Sequence, residues 1–219
     1  MTWIKICGMT NLEDAQAAVD AGADAVGFVF YEKSPRNISV DVARSIVAKL
    51  PLDIEKVGVF ADARIAVADI CTRVGLTVAQ IYVHAESVLN DEYLTALPCR
   101  VIPAISLTFS EIEIAGFHVS QENRNRIVAV LLDSGNSERP GGTGETFDWH
   151  IASDLADKAG INLVVAGGLK PENVGEAIRI SKPWGVDVAS GVESRPGKKD
   201  PEKIQAFVKA VREMDRKTS

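Results

Sequence analysis

Trp3-Ile4-Lys5-Ile6-Cys7-Gly8-Met9-Thr10 is the stretch from which the fold is read. Bulky residues alternate with polar or small ones from Trp3 to Cys7, the pattern of a β-strand. Residues two apart on a strand share a face, so Lys5 and Cys7 point the same way. Gly8 breaks the strand. Thr10, with Glu13 three residues on, reads as a capping box and predicts that a helix starts there. The reading therefore places a lysine beside a cysteine at the C-terminal end of a first strand, close to a helix N-terminus. An ammonium and a helix dipole both favour thiolate over thiol, so Cys7 is expected to be chemically active. Set against that, a cysteine is more often a small buried hydrophobe.

The same strand–helix unit recurs along the chain. Apolar residues at Leu12, Ala15, Ala18 and Val19 form a helical stripe that Gly22 ends. Strands are expected at 25–30, 56–60, 78–83, 100–105, 127–132, 162–166 and 185–189. The intervening helices are expected at 39–50, 63–74, 88–97, 148–159 and 171–180, with 106–125 less regular. Asp200-Pro201 opens a final helix, Asp as cap and Pro in the first turn. Most of these strands are continuous apolar runs, as in parallel strands covered by helices. Eight units in 219 residues, with no linker or low-complexity run, favour a single-domain (β/α)8 TIM barrel over residues 1–219. An open doubly wound sheet is the other solution for parallel strands, but the chain lacks a dinucleotide-binding glycine fingerprint after strand one.

Composition limits the function. Hydrophobic residues make up 46% of the chain, enough for a full core. The net charge of −6 argues against a general nucleic-acid or membrane-surface binder. Cys7, Cys71 and Cys99 are odd in number, and neither they nor His84, His118 and His150 have metal-ligand spacing. No apolar run approaches the ~20 residues of a membrane span. A cytoplasmic enzyme without metal or cofactor is expected.

In such a barrel the site lies on the loops that follow the strands. The loops after strands seven and eight, Ala166-Gly167-Gly168-Leu169 and Ala189-Ser190-Gly191-Val192-Glu193, are glycine-bearing and fit a phosphate cradle. Asp133 follows strand six and suits a general acid at the barrel rim. The run Gly141-Gly142-Thr143-Gly144 beyond it suits a mobile loop. Arg36, after strand two, can grip a carboxylate through two parallel hydrogen bonds. His84 follows strand four. A base and an acid on opposite rims suit proton transfer within one sugar phosphate.

These residues resemble a known family. Lys5-Ile6-Cys7-Gly8, Gly22-Ala23-Asp24-Ala25-Val26-Gly27-Phe28, Ser34-Pro35-Arg36, Gly141-Gly142-Thr143-Gly144 with Phe147-Asp148-Trp149, Ala166-Gly167-Gly168-Leu169 with Asn173-Val174, and Gly185-Val186-Asp187 with Ser190-Gly191-Val192-Glu193 look like phosphoribosylanthranilate isomerase. The resemblance implies a TIM barrel in tryptophan biosynthesis. It implies an Amadori rearrangement of N-(5-phosphoribosyl)anthranilate to its 1-deoxyribulose form, without a cofactor. It makes Cys7 the general base and Asp133 the general acid. Arg36 would hold the anthranilate carboxylate, and the loops at Gly168 and at Ser190-Gly191 the phosphate. Lys5, His84 and Gly142 would complete substrate binding, in a monomer or homodimer. After strand four the family usually shows Gln-Leu-His-Gly, which is matched to Tyr82-Val83-His84-Ala85 with only His84 kept. Pro103 stands where the family often has lysine, and a bulge is expected there. A related aldose–ketose isomerase, which would carry aspartate in place of Cys7, and a non-catalytic barrel binding a phosphorylated ligand are the alternatives.

Overall fold

The computed structural model describes residues 1–61, 66–83, 90–106, 120–134, 148–153 and 162–218. Eight parallel strands close into a barrel in sequence order: β1 (Trp3–Cys7), β2 (Ala25–Val29), β3 (Glu55–Phe60), β4 (Val78–Tyr82), β5 (Arg100–Ser106), β6 (Val130–Asp133), β7 (Leu163–Val165) and β8 (Gly185–Val188). The helices are α1 (Leu12–Asp20), α2 (Val40–Val47), α3 (Val67–Val74), α4 (Asp91–Ala96), α5 (Gln121–Arg124), α6 (Val174–Ser181) and α7 (Pro201–Thr218), with a further helical stretch at 149–153. A short hairpin, β9 (Glu193–Arg195) and β10 (Lys198–Lys199), follows β8.

The two-residue period of the strands divides the apolar side chains between two layers. Alternate residues such as Ala25, Val29, Val57, Val59, Ile102, Leu131 and Val164 fill the lumen with Cys7. Their neighbours, among them Ile4, Ile6, Val26 and Phe28, pack outward with residues of the helices such as Ile46, Phe207 and Val211. Both faces are thus buried, which is why the strands read as apolar runs. Closure brings the chain ends together. Trp3 pairs with Gly185 and its ring stacks on Trp184, with centroids 5.2 Å apart. A Cβ on Gly185 would lie 2.9 Å from the Trp3 ring. Asp215 of α7 accepts from the Thr2 amide and hydroxyl, and Arg212 reaches Asp24 at 3.0 Å.

The local signals hold with three corrections. The cap of α1 is Asn11, whose side chain accepts from the Asp14 amide; Thr10 instead donates to the Gly197 carbonyl. The helix after β7 starts at Val174 rather than at Pro171. There Asn173 accepts from the Lys170 amide and donates to the Gly168 carbonyl, so the intervening residues form a turn. β6 spans Val130–Asp133 rather than 127–132, with Asp133 as its last residue. The irregularity expected at Pro103 is present on one side: β5 stays in register with β4, with Pro103 opposite Ile81, but against β6 the pairing shifts by one residue, from Val101–Ile127 to Ala104–Leu131. The reason lies in which way the backbone faces. Val101 turns both its amide and its carbonyl toward the β6 side, as hydrogen bonds with Arg126 and Val128 show. Pro103, two residues on, turns its nitrogen the same way, between the Val101–Ile127 bridge and the β5–β6 pairing that begins at Ala104.

Candidate active site

The C-terminal ends of the strands surround an open pocket of about 720 Å³. Cys7 of β1, Gln80 and Tyr82 of β4, Asp133 of β6 and Asp187 of β8 line it with Arg36. The glycine loops enter from the other side through Gly167, Gly168 and Ser190. Six strand exits, those of β1, β2, β4, β6, β7 and β8, thus bring together groups that lie far apart in sequence.

Lys5 lies beneath this pocket. Its side chain is fully buried, and its ammonium donates to Gln80 Oε1 and Asp187 Oδ2, each at 2.8 Å. Burial works against the ammonium, but Asp187 and Cys7 outweigh it and hold the proton more firmly than in water. Room for Lys5 and Cys7 comes from a missing side chain on the next strand. A Cβ on Gly27 would sit 2.8 Å from the Cys7 sulfur and 3.0 Å from Lys5 Cε.

The thiol differs from its sequence expectation. Cys7 is 6% exposed, and burial pushes it up; the Lys5 charge beside it offsets this only in part. The neutral thiol is therefore the favoured form near neutral pH. The sequence reading counted the favourable ammonium but could not see how dry the strand end is.

Arg36 is clasped from outside the pocket. Its Nε and Nη2 donate to Glu193 Oε1 and Oε2 at 2.7 and 2.8 Å, a two-pronged contact. The buried Lys199 ammonium donates to the same carboxylate at 2.9 Å and to the Ala189 carbonyl at 3.0 Å. Burial disfavours the Glu193 charge, yet Arg36 and Lys199 hold it below the usual carboxylate range. Glu193 uses one edge of the guanidinium, leaving the Nη1–Nη2 edge for a ligand. Gly8, at φ +86°, makes room for the Arg36 stem, which a Cβ would meet at 2.5 Å.

The two glycine loops interlock. Gly167 and Gly168 have positive φ, and a Cβ on Gly191 would lie 1.9 Å from the Leu169 carbonyl oxygen. That obstacle is backbone, so the loops would have to part. Gly191→Ala is expected to destabilise the fold by about 1–3 kcal/mol, read as a lower urea midpoint at unchanged m-value.

Cys7, Asp133, Arg36, Gly168 and Ser190 are thus brought to one pocket. Lys5 and Gly191 support it from behind. His84, Gly142 and the 141–144 run lie outside the described residues. Sequence reading missed Gln80, Tyr82 and Asp187 as pocket-lining groups, and Glu193 as the partner of Arg36. Gln80 and Asp187 each carried a signal: a polar residue inside an otherwise apolar buried strand. In β4 it is Gln80 and Tyr82 that line the pocket, two residues apart on the strand's inner face.

The model of the family described as N-(5'phosphoribosyl)anthranilate (PRA) isomerase matches residues 4–210. The chain belongs to the phosphoribosylanthranilate isomerase family. An N-(5'-phosphoribosyl)anthranilate isomerase of Chlorobaculum tepidum is 44% identical over 223 residues, covering 99% of this chain and 97% of its own. The phosphoribosyl anthranilate isomerase of Thermotoga maritima superposes with a TM-score of 0.79 at 38% identity, over 97% of this chain and all of its own. A phosphoribosyl anthranilate isomerase solved in complex with reduced 1-(o-carboxyphenylamino)-1-deoxyribulose 5-phosphate is 37% identical, with a TM-score of 0.75 and coverage of 97% and 100%. Among the described residues of this isomerase-family chain, no helix is long and apolar enough to cross a membrane, and no group of His, Cys, Asp or Glu is placed to hold a metal.

Proposed function

We propose that the chain converts N-(5'-phosphoribosyl)anthranilate to 1-(o-carboxyphenylamino)-1-deoxyribulose 5-phosphate, an aldose–ketose isomerisation in tryptophan biosynthesis. The observation that carries this is Cys7 and Asp133 lining one pocket, beside a half-occupied guanidinium and paired glycine loops. Asp133 protonates the ribose ring oxygen. The C1–O bond then breaks as the anthranilate nitrogen forms a C=N bond to C1. Cys7, as thiolate, takes the C2 proton; the C2–H electron pair becomes a C1=C2 double bond and the C=N π pair returns to nitrogen, giving an enolamine. Tautomerisation of that enolamine yields the ketose. The two protons run in opposite directions, from an acid on β6 and to a base on β1, so each group ends in the form the other began in.

Binding divides among the remaining groups. The free edge of Arg36 takes the anthranilate carboxylate, and the amides around Gly168 and Ser190 take the phosphate. Asp187 Oδ1 is buried without a partner among the described residues and is available to accept from a ribose hydroxyl. The soluble substrate and its two anionic ends also fit a cytoplasmic enzyme.

The test is the loss of anthranilate-type fluorescence when fresh N-(5'-phosphoribosyl)anthranilate meets the purified chain. Rapid loss supports the reading; binding without turnover sinks it. In the same assay Arg36→Met is expected to raise KM about tenfold or more with a smaller effect on kcat, as for a group that binds ground state and transition state alike. An unchanged KM would take the carboxylate away from Arg36.

A further inference from the structure

Tyr82 stands at the end of β4 with its ring in the barrel and its hydroxyl on the acid. The hydroxyl donates to Asp133 Oδ2 at 2.6 Å, and both residues are buried, at 8% and 3% exposure. A phenol is a donor here only while it keeps its own proton. Burial, with the nearby Asp133 carboxylate, pushes Tyr82 well above its ordinary value, so it stays neutral throughout the working range.

A carboxylic acid has two oxygens, and only a proton on the one facing the substrate is useful. We propose that Tyr82 is a positioning residue for the acid step: by donating to Oδ2 it confines the transferable proton to Oδ1, and it steadies the carboxylate left when that proton departs. This rests on Asp133 being the acid of the proposed function. The donor is worth most after transfer, because hydrogen bonds to a charged acceptor are the stronger ones. It therefore favours the product side of the proton transfer over the ground state, which is the condition for raising kcat rather than lowering KM.

The charged neighbours do not supply the same help. Asp187 on β8 is a carboxylate and opposes a second negative charge nearby. The Lys5 ammonium on β1 is held by Asp187 and Gln80. Cys7 on β1 becomes neutral as it takes its proton. Arg36 and Lys199 are engaged with Glu193. From the strands flanking β6, β7 presents only apolar residues, Leu163 to Val165, and the β5 residue in register with Asp133 is Ser106. Tyr82 is thus a neutral donor placed directly on the acid.

The experiment is the single-turnover rate of fluorescence loss against pH for the parent and Tyr82→Phe, with KM measured alongside. Removing the donor is expected to slow the step about tenfold or more and to leave KM nearly unchanged. The limb of the pH–rate profile that the acid sets should move to higher pH, because a carboxylate without its donor takes back its proton more readily. In the opposite sense, exchanging the tyrosines for 3-fluorotyrosine in a Tyr31→Phe background strengthens the donor and should move the limb to lower pH. A Tyr82→Phe rate within about twofold of the parent overturns the proposal, and so does a slower rate with an unmoved limb, which would mark a packing role only. If Tyr82→Phe gives no cooperative melt, the fluorotyrosine shift decides alone, and an unmoved limb there counts against the proposal. Turnover by the parent is read in the same traces, so failure of the isomerase reading is seen separately.

Discussion

Cys7→Ala is expected to reduce turnover about a thousandfold or more while the barrel stays folded. The alanine cannot accept the C2 proton, and the pocket offers no second thiol: Cys71 and Cys99 sit together outside the lumen, sulfur to sulfur at 3.3 Å. Loss of one buried sulfur should cost about 1 kcal/mol, so circular dichroism and a thermal melt will separate lost chemistry from lost fold. The sulfur is buried among the lumen residues, so it contributes packing as well as chemistry. The burial has a measurable sign. Iodoacetamide reacts with the thiolate, so modification of the Cys7 peptide, followed by mass spectrometry, should accelerate with pH and reach its midpoint above that of a free cysteine. A midpoint below the free value would mean that the Lys5 charge prevails over burial. Near-normal turnover by Cys7→Ala would remove Cys7 from the mechanism.

Asp133→Asn is the second large effect. Asparagine keeps the size and an acceptor for the Tyr82 hydroxyl, but carries no transferable acidic proton. Turnover is expected to fall about a thousandfold or more, with affinity for the reduced product analogue kept within about threefold. Isothermal titration of that analogue gives the affinity, and the fluorescence assay gives the rate. If both fell together, Asp133 would be a binding group and another residue would have to open the furanose.

The barrel was legible because its signals are local. Most strands are short apolar runs and most helices carry a stripe, and neither needs knowledge of a distant residue. Individual site residues were legible for the same reason: Cys7, Asp133 and Arg36 all lie at strand exits, where a barrel places its chemistry. Their partnerships were not. Glu193 lies 157 residues from Arg36 and Asp187 lies 182 from Lys5, so no spacing rule joins them. Burial was equally hidden, since the dryness around Cys7 comes from β2 and β8 rather than from its own strand. The cap at Asn11 shows a smaller version of this. Thr10 and Asn11 both suit a helix start, and Thr10 was taken up by Gly197 from the far end of the chain.

The pairing of Trp3 with Gly185, under the stacked Trp3 and Trp184 rings, has a consequence in time. Contacts across so long a separation form late, because the chain must first bring its two ends together. The Lys5–Asp187 link and the Arg36–Glu193 clasp both wait on that same closure. A half-folded chain could therefore hold most of its strands and still own no complete pocket. During refolding, regained activity should follow the slowest phase, with no early partly active species: the last seam to close is also the one that assembles the enzyme.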